Sequence, residues 1–68
     1  MAVAVSIPEL AVVEFTRDID GHPRGAVGVV VSAYPDEDTY TVEIADAAGR
    51  TLDLVPARGD DLRITQIV

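Results

Sequence analysis

The sequence predicts an all-β fold: five short strands in a small, strongly bent antiparallel sheet that closes into a barrel. Three observations carry this. Residues 27–34, VGVVVSAY, are rich in β-branched side chains, which suit a pleated surface. Beyond a turn-forming stretch, Tyr40, Val42 and Ile44 alternate with Thr39, Thr41 and Glu43, the period-two pattern of a half-buried strand. No ten-residue stretch keeps a helical period, and turns containing Gly or Pro separate the apolar runs.

The elements follow in order. AVVEFTR (11–17) reads as the first strand, with Val13 and Phe15 inward. DIDGHPRGA (18–26) is a long loop punctuated by Gly and Pro. The second strand, 27–34, ends at Pro35, which has no N–H to give to a ladder. Pro35 to Thr39 form a hairpin loop of ordinary length. After the third strand, DAAGR (46–50) closes a second hairpin, with Gly49 free to take a positive φ beside a bulge. TLDLV (51–55) alternates again, Leu52 and Leu54 on one side, Thr51 and Asp53 on the other. PARGDD (56–61) breaks that pattern and suits a single turn of tight helix or an irregular loop. LRITQIV (62–68) is the last strand, with Leu62 and Ile64 on one face. Closure into a barrel would hide the edge strands. Residues 1–9 then add an edge strand, pack against the barrel bottom or pair with a second copy.

Size and composition bound the rest. The 68 residues form one domain, and a chain this short buries only roughly 60% of its unfolded surface. With no cysteine and one histidine, disulfides and zinc sites of Cys or several His are excluded. A well-packed core or a homo-oligomer remains. The apolar fraction of 49% argues against disorder. Twelve acids stand against five basic residues, all Arg, for a net charge of −7. That disfavours nucleic acid, which is bound by basic side chains displacing counterions. It favours a protein partner with a basic surface, or solubility alone. The apolar N-terminus lacks a positive n-region and breaks at Pro8, too short for a signal peptide or membrane span. The expectation is a cytoplasmic protein with no membrane contact.

The chain also resembles a known family. PELAVVEFTRDI (8–19), RGAVGVVVSAYP (24–35), YTVEIADAAGRTLDLV (40–55) and DDLR (60–63) are similar to small bacterial proteins grouped as domain of unknown function 4926. That family shows a Val-Val strand, a Gly-x-x-Gly-x-Val-Val step, a Tyr-x-Val-Glu-Phe strand and a Gly-x-Thr turn. Ile44 stands here for the usual aromatic, and the loop Gly21 to Arg24 departs from the family's Leu-rich version. The resemblance implies an SH3-like barrel and no assigned activity. Neighbouring toxin genes are associated with such proteins, which implies an antitoxin or immunity role. The Gly25-to-Val31 step further resembles the KOW motif and the barrel of the nitrile hydratase β subunit. Those likenesses imply fold and not function.

Few side chains suggest chemistry. Asp18, Asp20 and Gly21 invite a calcium loop, but with Gly21 at position six, Thr16 and Val27 occupy the ligating ends. Asp side chains bonding local amides are the better reading. His22 stands alone, and acid–base work needs a second group placed beside it, so it reads as an exposed loop residue. Gly25 and Gly28 lead into a strand rather than a helix N-terminus, so they form no phosphate cradle. Gly28 instead permits a bulge or a close backbone approach. Arg24, Arg50 and Arg58 lie in predicted loops and would serve a KOW-like nucleic-acid module if they converged. Asp36, Glu37 and Asp38 cluster at the hairpin tip, and Asp60 and Asp61 precede the last strand. These five acids and Tyr34, the one aromatic not assigned inward, are the expected partner-binding residues. No catalytic residue, metal or cofactor is expected. The reading is a small acidic interaction module, with a KOW-like module or an accessory subunit of an enzyme as alternatives.

Overall fold

The computed structural model describes residues 6–67. It contains strands β1 (Val12–Phe15), β2 (Val27–Tyr34), β3 (Thr39–Ala45), β4 (Thr51–Arg58) and β5 (Leu62–Gln66). Two single-turn 3-10 helices, Pro35–Glu37 and Gly59–Asp61, join β2 to β3 and β4 to β5. All neighbours are antiparallel, in the order β4-β3-β2-β1-β5. The protein is therefore all-β, as the alternation predicts. The expected closure is absent from the backbone pairing: β4 and β5 are the two outermost strands, and no ladder joins them among the described residues.

The sheet nonetheless curls around one core. Val13 and Phe15 (β1), Val30 (β2), Tyr40, Val42 and Ile44 (β3), Val55 and Ala57 (β4) and Leu62 (β5) share a single buried cluster. The outer strands of a flat five-stranded sheet would stand about 19 Å apart, too far for Ala57 and Leu62 to share it. Two features bend the sheet. The β2–β3 register shifts between Val30 and Ser32, a bulge that leaves Val31 extra and increases the local twist. At Gly28 the two strands are pressed together: a Cβ there would sit 2.7 Å from the Glu43 carbonyl oxygen and 2.5 Å from Val42 Cγ1. The close approach expected of Gly28 is thus observed.

One expected boundary is corrected. β4 does not stop at Val55 but runs through Pro56 to Arg58, and only Gly59–Asp61 form the tight turn. Pro56 is tolerated because β4 is an edge strand, where one row of N–H groups has no ladder to serve. Leu52 and Leu54 do share a side, but it is the solvent side; Val55 and Ala57 supply the core. Of the segment read as an edge strand, as packing against the barrel bottom or as pairing with a second copy, residues 6–9 carry no strand. Ile7 packs into the core, and its N–H donates to the Tyr40 hydroxyl at 3.3 Å. Residues 1–5 lie outside the described residues. Among the described residues, no helix is long and apolar enough to cross a membrane.

Candidate functional site

Two of the predicted partner-binding acids hold the 3-10 turns in place: Asp38 joins the first turn to the second, and Asp61 ties the second to Arg17. Asp38 ends the first turn in the left-handed region, at φ 51°, where Asp is among the few side chains tolerated. From there its Oδ1 accepts the Gly59 N–H at 3.2 Å, and its Oδ2 lies 3.8 Å from Arg58 Nη2. Asp61 ends the second turn and is 7% exposed. Its carboxylate accepts Arg17 Nε at 2.6 Å, Arg17 Nη2 at 3.2 Å and the Arg58 N–H at 3.0 Å. The Arg17 hydrogen bond, aided by the Arg58 N–H and both guanidinium charges, outweighs burial and holds the Asp61 carboxyl below the usual carboxylate range. Asp38 and Asp61 are thus struts as much as display residues.

The other four predicted residues face solvent. Tyr34 is 54% exposed at the end of β2. Asp36 and Glu37 are exposed in the first turn and Asp60 in the second. None of these three acids enters an ion pair among the described residues. Beside them lies an open groove of ≈ 580 Å³. Its apolar lining comes from Ile7, Tyr40, Leu62 and Ile64, and Asp38 and Asp60 stand among its polar residues. That volume is in the range of ligand-binding clefts. The sequence did not reveal the groove, because its lining is drawn from three separate stretches of chain. Tyr40 was legible as inward-facing and Leu62 and Ile64 as sharing a face, but not their meeting with Ile7.

The remaining candidates are dispersed. Arg50 Nε bonds Asp46 Oδ2 at 2.9 Å at one end of β4, and Arg58 stands at the other, about 26 Å away along the strand. Arg24 lies in the β1–β2 loop, where its backbone N–H reaches Asp18 Oδ1 at 2.8 Å. The Arg50 and Arg58 positions do not converge into one basic rim. Asp46 also accepts the backbone N–H groups of Ala48 and Arg50, both at 2.9 Å. These bonds, the Arg50 N–H foremost, hold the Asp46 carboxyl below its usual range. Among the described residues, no three of His, Asp or Glu are grouped to hold a metal ion.

His22 is not the exposed loop residue expected. Its ring packs edge-on against Phe15, with centroids 6.3 Å apart, and its Nε2 lies 2.9 Å from Asp53 Oδ2. That contact ties the β1–β2 loop to β4 and is the main cause of a lowered Asp53 carboxyl pKa. The geometry is that of a tether. The sequence separation of 31 residues hid it.

Neither the curated proteins nor the solved structures include a match to the chain. The family described as "Domain of unknown function (DUF4926)" matches residues 9–64, the whole sheet but its last two residues. With its strands, both 3-10 turns and most of the groove inside that match, the chain belongs to the DUF4926 family.

Proposed function

We propose that this protein is a small acidic interaction module that docks a basic protein surface, in the manner of an antitoxin or immunity protein acting in the bacterial cytoplasm. One observation carries the reading. Asp36, Glu37 and Asp60 stand exposed, and without an ion pair among the described residues, around turns that Asp38 and Asp61 hold in place. Four of the five arginines are engaged by acids: Arg17 by Asp61, Arg50 by Asp46, Arg58 by Asp38 and Arg63 by Glu14. The excess negative charge of the chain therefore has an uncompensated outlet at this end. A fixed negative patch steers a basic partner and favours its encounter, an effect that salt screens over about 10 Å at 0.1 M.

The test is capture of partners from host lysate by the tagged protein, at low and at high salt. A single basic partner, lost at high salt, is the expected result. The triple variant Asp36→Ser, Glu37→Ser, Asp60→Ser leaves both struts intact and should weaken that capture at least about tenfold, with a shallower salt dependence. Unchanged capture by the variant would move the site away from these turns.

A further inference from the structure

Among the described residues no strand pairs with the outer edge of β5, and the backbone bonds of its neighbours show which groups it presents. Phe15 gives its N–H to the Ala26 carbonyl at 2.9 Å and accepts the Gly25 N–H at 2.9 Å, so Phe15 faces β2. Thr16 gives its N–H to the Asp61 carbonyl at 2.9 Å, so Thr16 faces β5. Antiparallel pairs alternate between bonded and non-bonded. The Phe15–Leu62 and Val13–Ile64 pairs are therefore the non-bonded ones, and Leu62 and Ile64 turn their backbone groups away from β1. The Leu62 N–H is taken by the Gly59 carbonyl. The same alternation turns the Ile64 N–H and C=O to the outer edge, and no turn, loop or side-chain bond takes either among the described residues. Both residues line the groove.

We propose that this edge takes an extended, basic segment of a partner chain as an added strand. The inference rests on the interaction-module reading and names where and how the partner binds. Strand addition needs unpaired main-chain groups for affinity and an adjoining trough for alternate side chains. Here the groups are those of Ile64 with the Leu62 carbonyl, and the trough is floored by Ile7, Tyr40, Leu62 and Ile64. Charge selects the occupant. Asp60 lines the groove with no ion pair among the described residues, Asp36 and Glu37 lie in the turn beside it, and the nearby basic side chains are engaged, Arg58 by Asp38 and Arg63 by Glu14 Oε1 at 2.7 Å. A second copy would bring its own net −7 against this rim, whereas Lys or Arg at alternate positions would meet it. A segment of about five residues matches the length of β5, with apolar side chains into the trough and basic ones toward the acids.

The probe is a capped octapeptide of alternating Lys and Val, titrated into the intact protein at low salt and followed by amide NMR. The expected result is a shifted Ile64 amide whose hydrogen exchange slows by about tenfold or more at saturation, with the Leu54 amide unmoved. A Glu–Val peptide, and a Lys–Val peptide N-methylated on alternate residues, should leave Ile64 unchanged. Lys–Val binding without Ile64 protection would overturn strand addition while leaving a basic-surface module standing. No binding would overturn the inference, and lysate capture would then judge the module reading separately. An Ile64 amide already slow in the free protein would also overturn it, with sedimentation separating a second copy from the chain filling its own edge.

Discussion

The two edges of this sheet are built in opposite ways. On β2, Val30 gives its N–H to the Ala11 carbonyl and so faces β1; its neighbour Val29 therefore exchanges bonds with Glu43. Glu43 is thereby spent on β2, and Leu54 across from it turns to the free edge of β4, with Pro56 and Arg58 in the same phase. Each of these three is blocked. The Leu54 N–H bonds Asp53 Oδ1 at 2.9 Å, Pro56 has no N–H, and the Arg58 N–H bonds Asp61 Oδ2 at 3.0 Å. Among the described residues β5 carries no such guard at Ile64. This contrast supports the proposed strand addition at β5 and not at β4. Guarding an edge with Pro and inward-turned carboxylates is a recognised defence against unwanted pairing.

The largest expected effect comes from removing the residue that serves both the turn and the guarded edge. Asp61→Ala strips three hydrogen bonds from a buried position and should cost about 2–3 kcal/mol by chemical denaturation. Arg17→Ala should cost clearly less, because its side chain is 61% exposed and water replaces much of the interaction. A smaller Asp61→Ala cost than Arg17→Ala would break the account of Asp61 as the strut.

pH gives the next effect. The Asp61 carboxyl titrates lower in the folded protein than in the unfolded chain. The unfolded state therefore takes up its proton first as pH falls, so the stability contributed by Asp61 is full above the usual carboxylate range. It is lost as pH drops through that range toward the folded pKa. Asp46 and Asp53, shifted the same way, steepen the loss. Denaturation midpoints should hold steady from neutral pH to about 5 and fall below about 4, with a shallower fall in Asp61→Asn. Equal slopes for the two proteins would contradict the assignment.

The smallest effect on stability should accompany the sharpest change in behaviour. Asp53→Ala combined with Pro56→Val frees the Leu54 N–H and installs a new donor beside exposed Leu52 and Leu54. Denaturation should shift less than in Asp61→Ala, since both sites face solvent and the His22 contact that Asp53→Ala also removes is an exposed one. Sedimentation should nonetheless show concentration-dependent association that the parent chain lacks at the same concentration. A variant that behaves as the parent would mean that the β4 guard is decorative.

Much of the sheet was legible because its signals are local. The β2 boundaries follow from a β-branched run ended by Pro35, and the core face of β3 follows from strict alternation. Pro56 misled because its reading depends on edge status, which is set by the order of strands and not by its neighbours in sequence. The acids were legible as a charged end but not as two kinds. Asp61 differs from Asp60 chiefly through Arg17, 44 residues away, and Asp38 from Glu37 through Gly59. The groove and the free edge were hidden for the same reason: both arise from long-range pairing.

The most direct test of the contrast between the edges is residue-resolved amide hydrogen exchange on the free protein. The account predicts measurable protection at Leu54, Arg58 and Leu62, whose N–H groups are bonded, and exchange near the unprotected rate at Ile64. Protection at Ile64 equal to that at Leu54 would contradict it, because the two edges would then be alike.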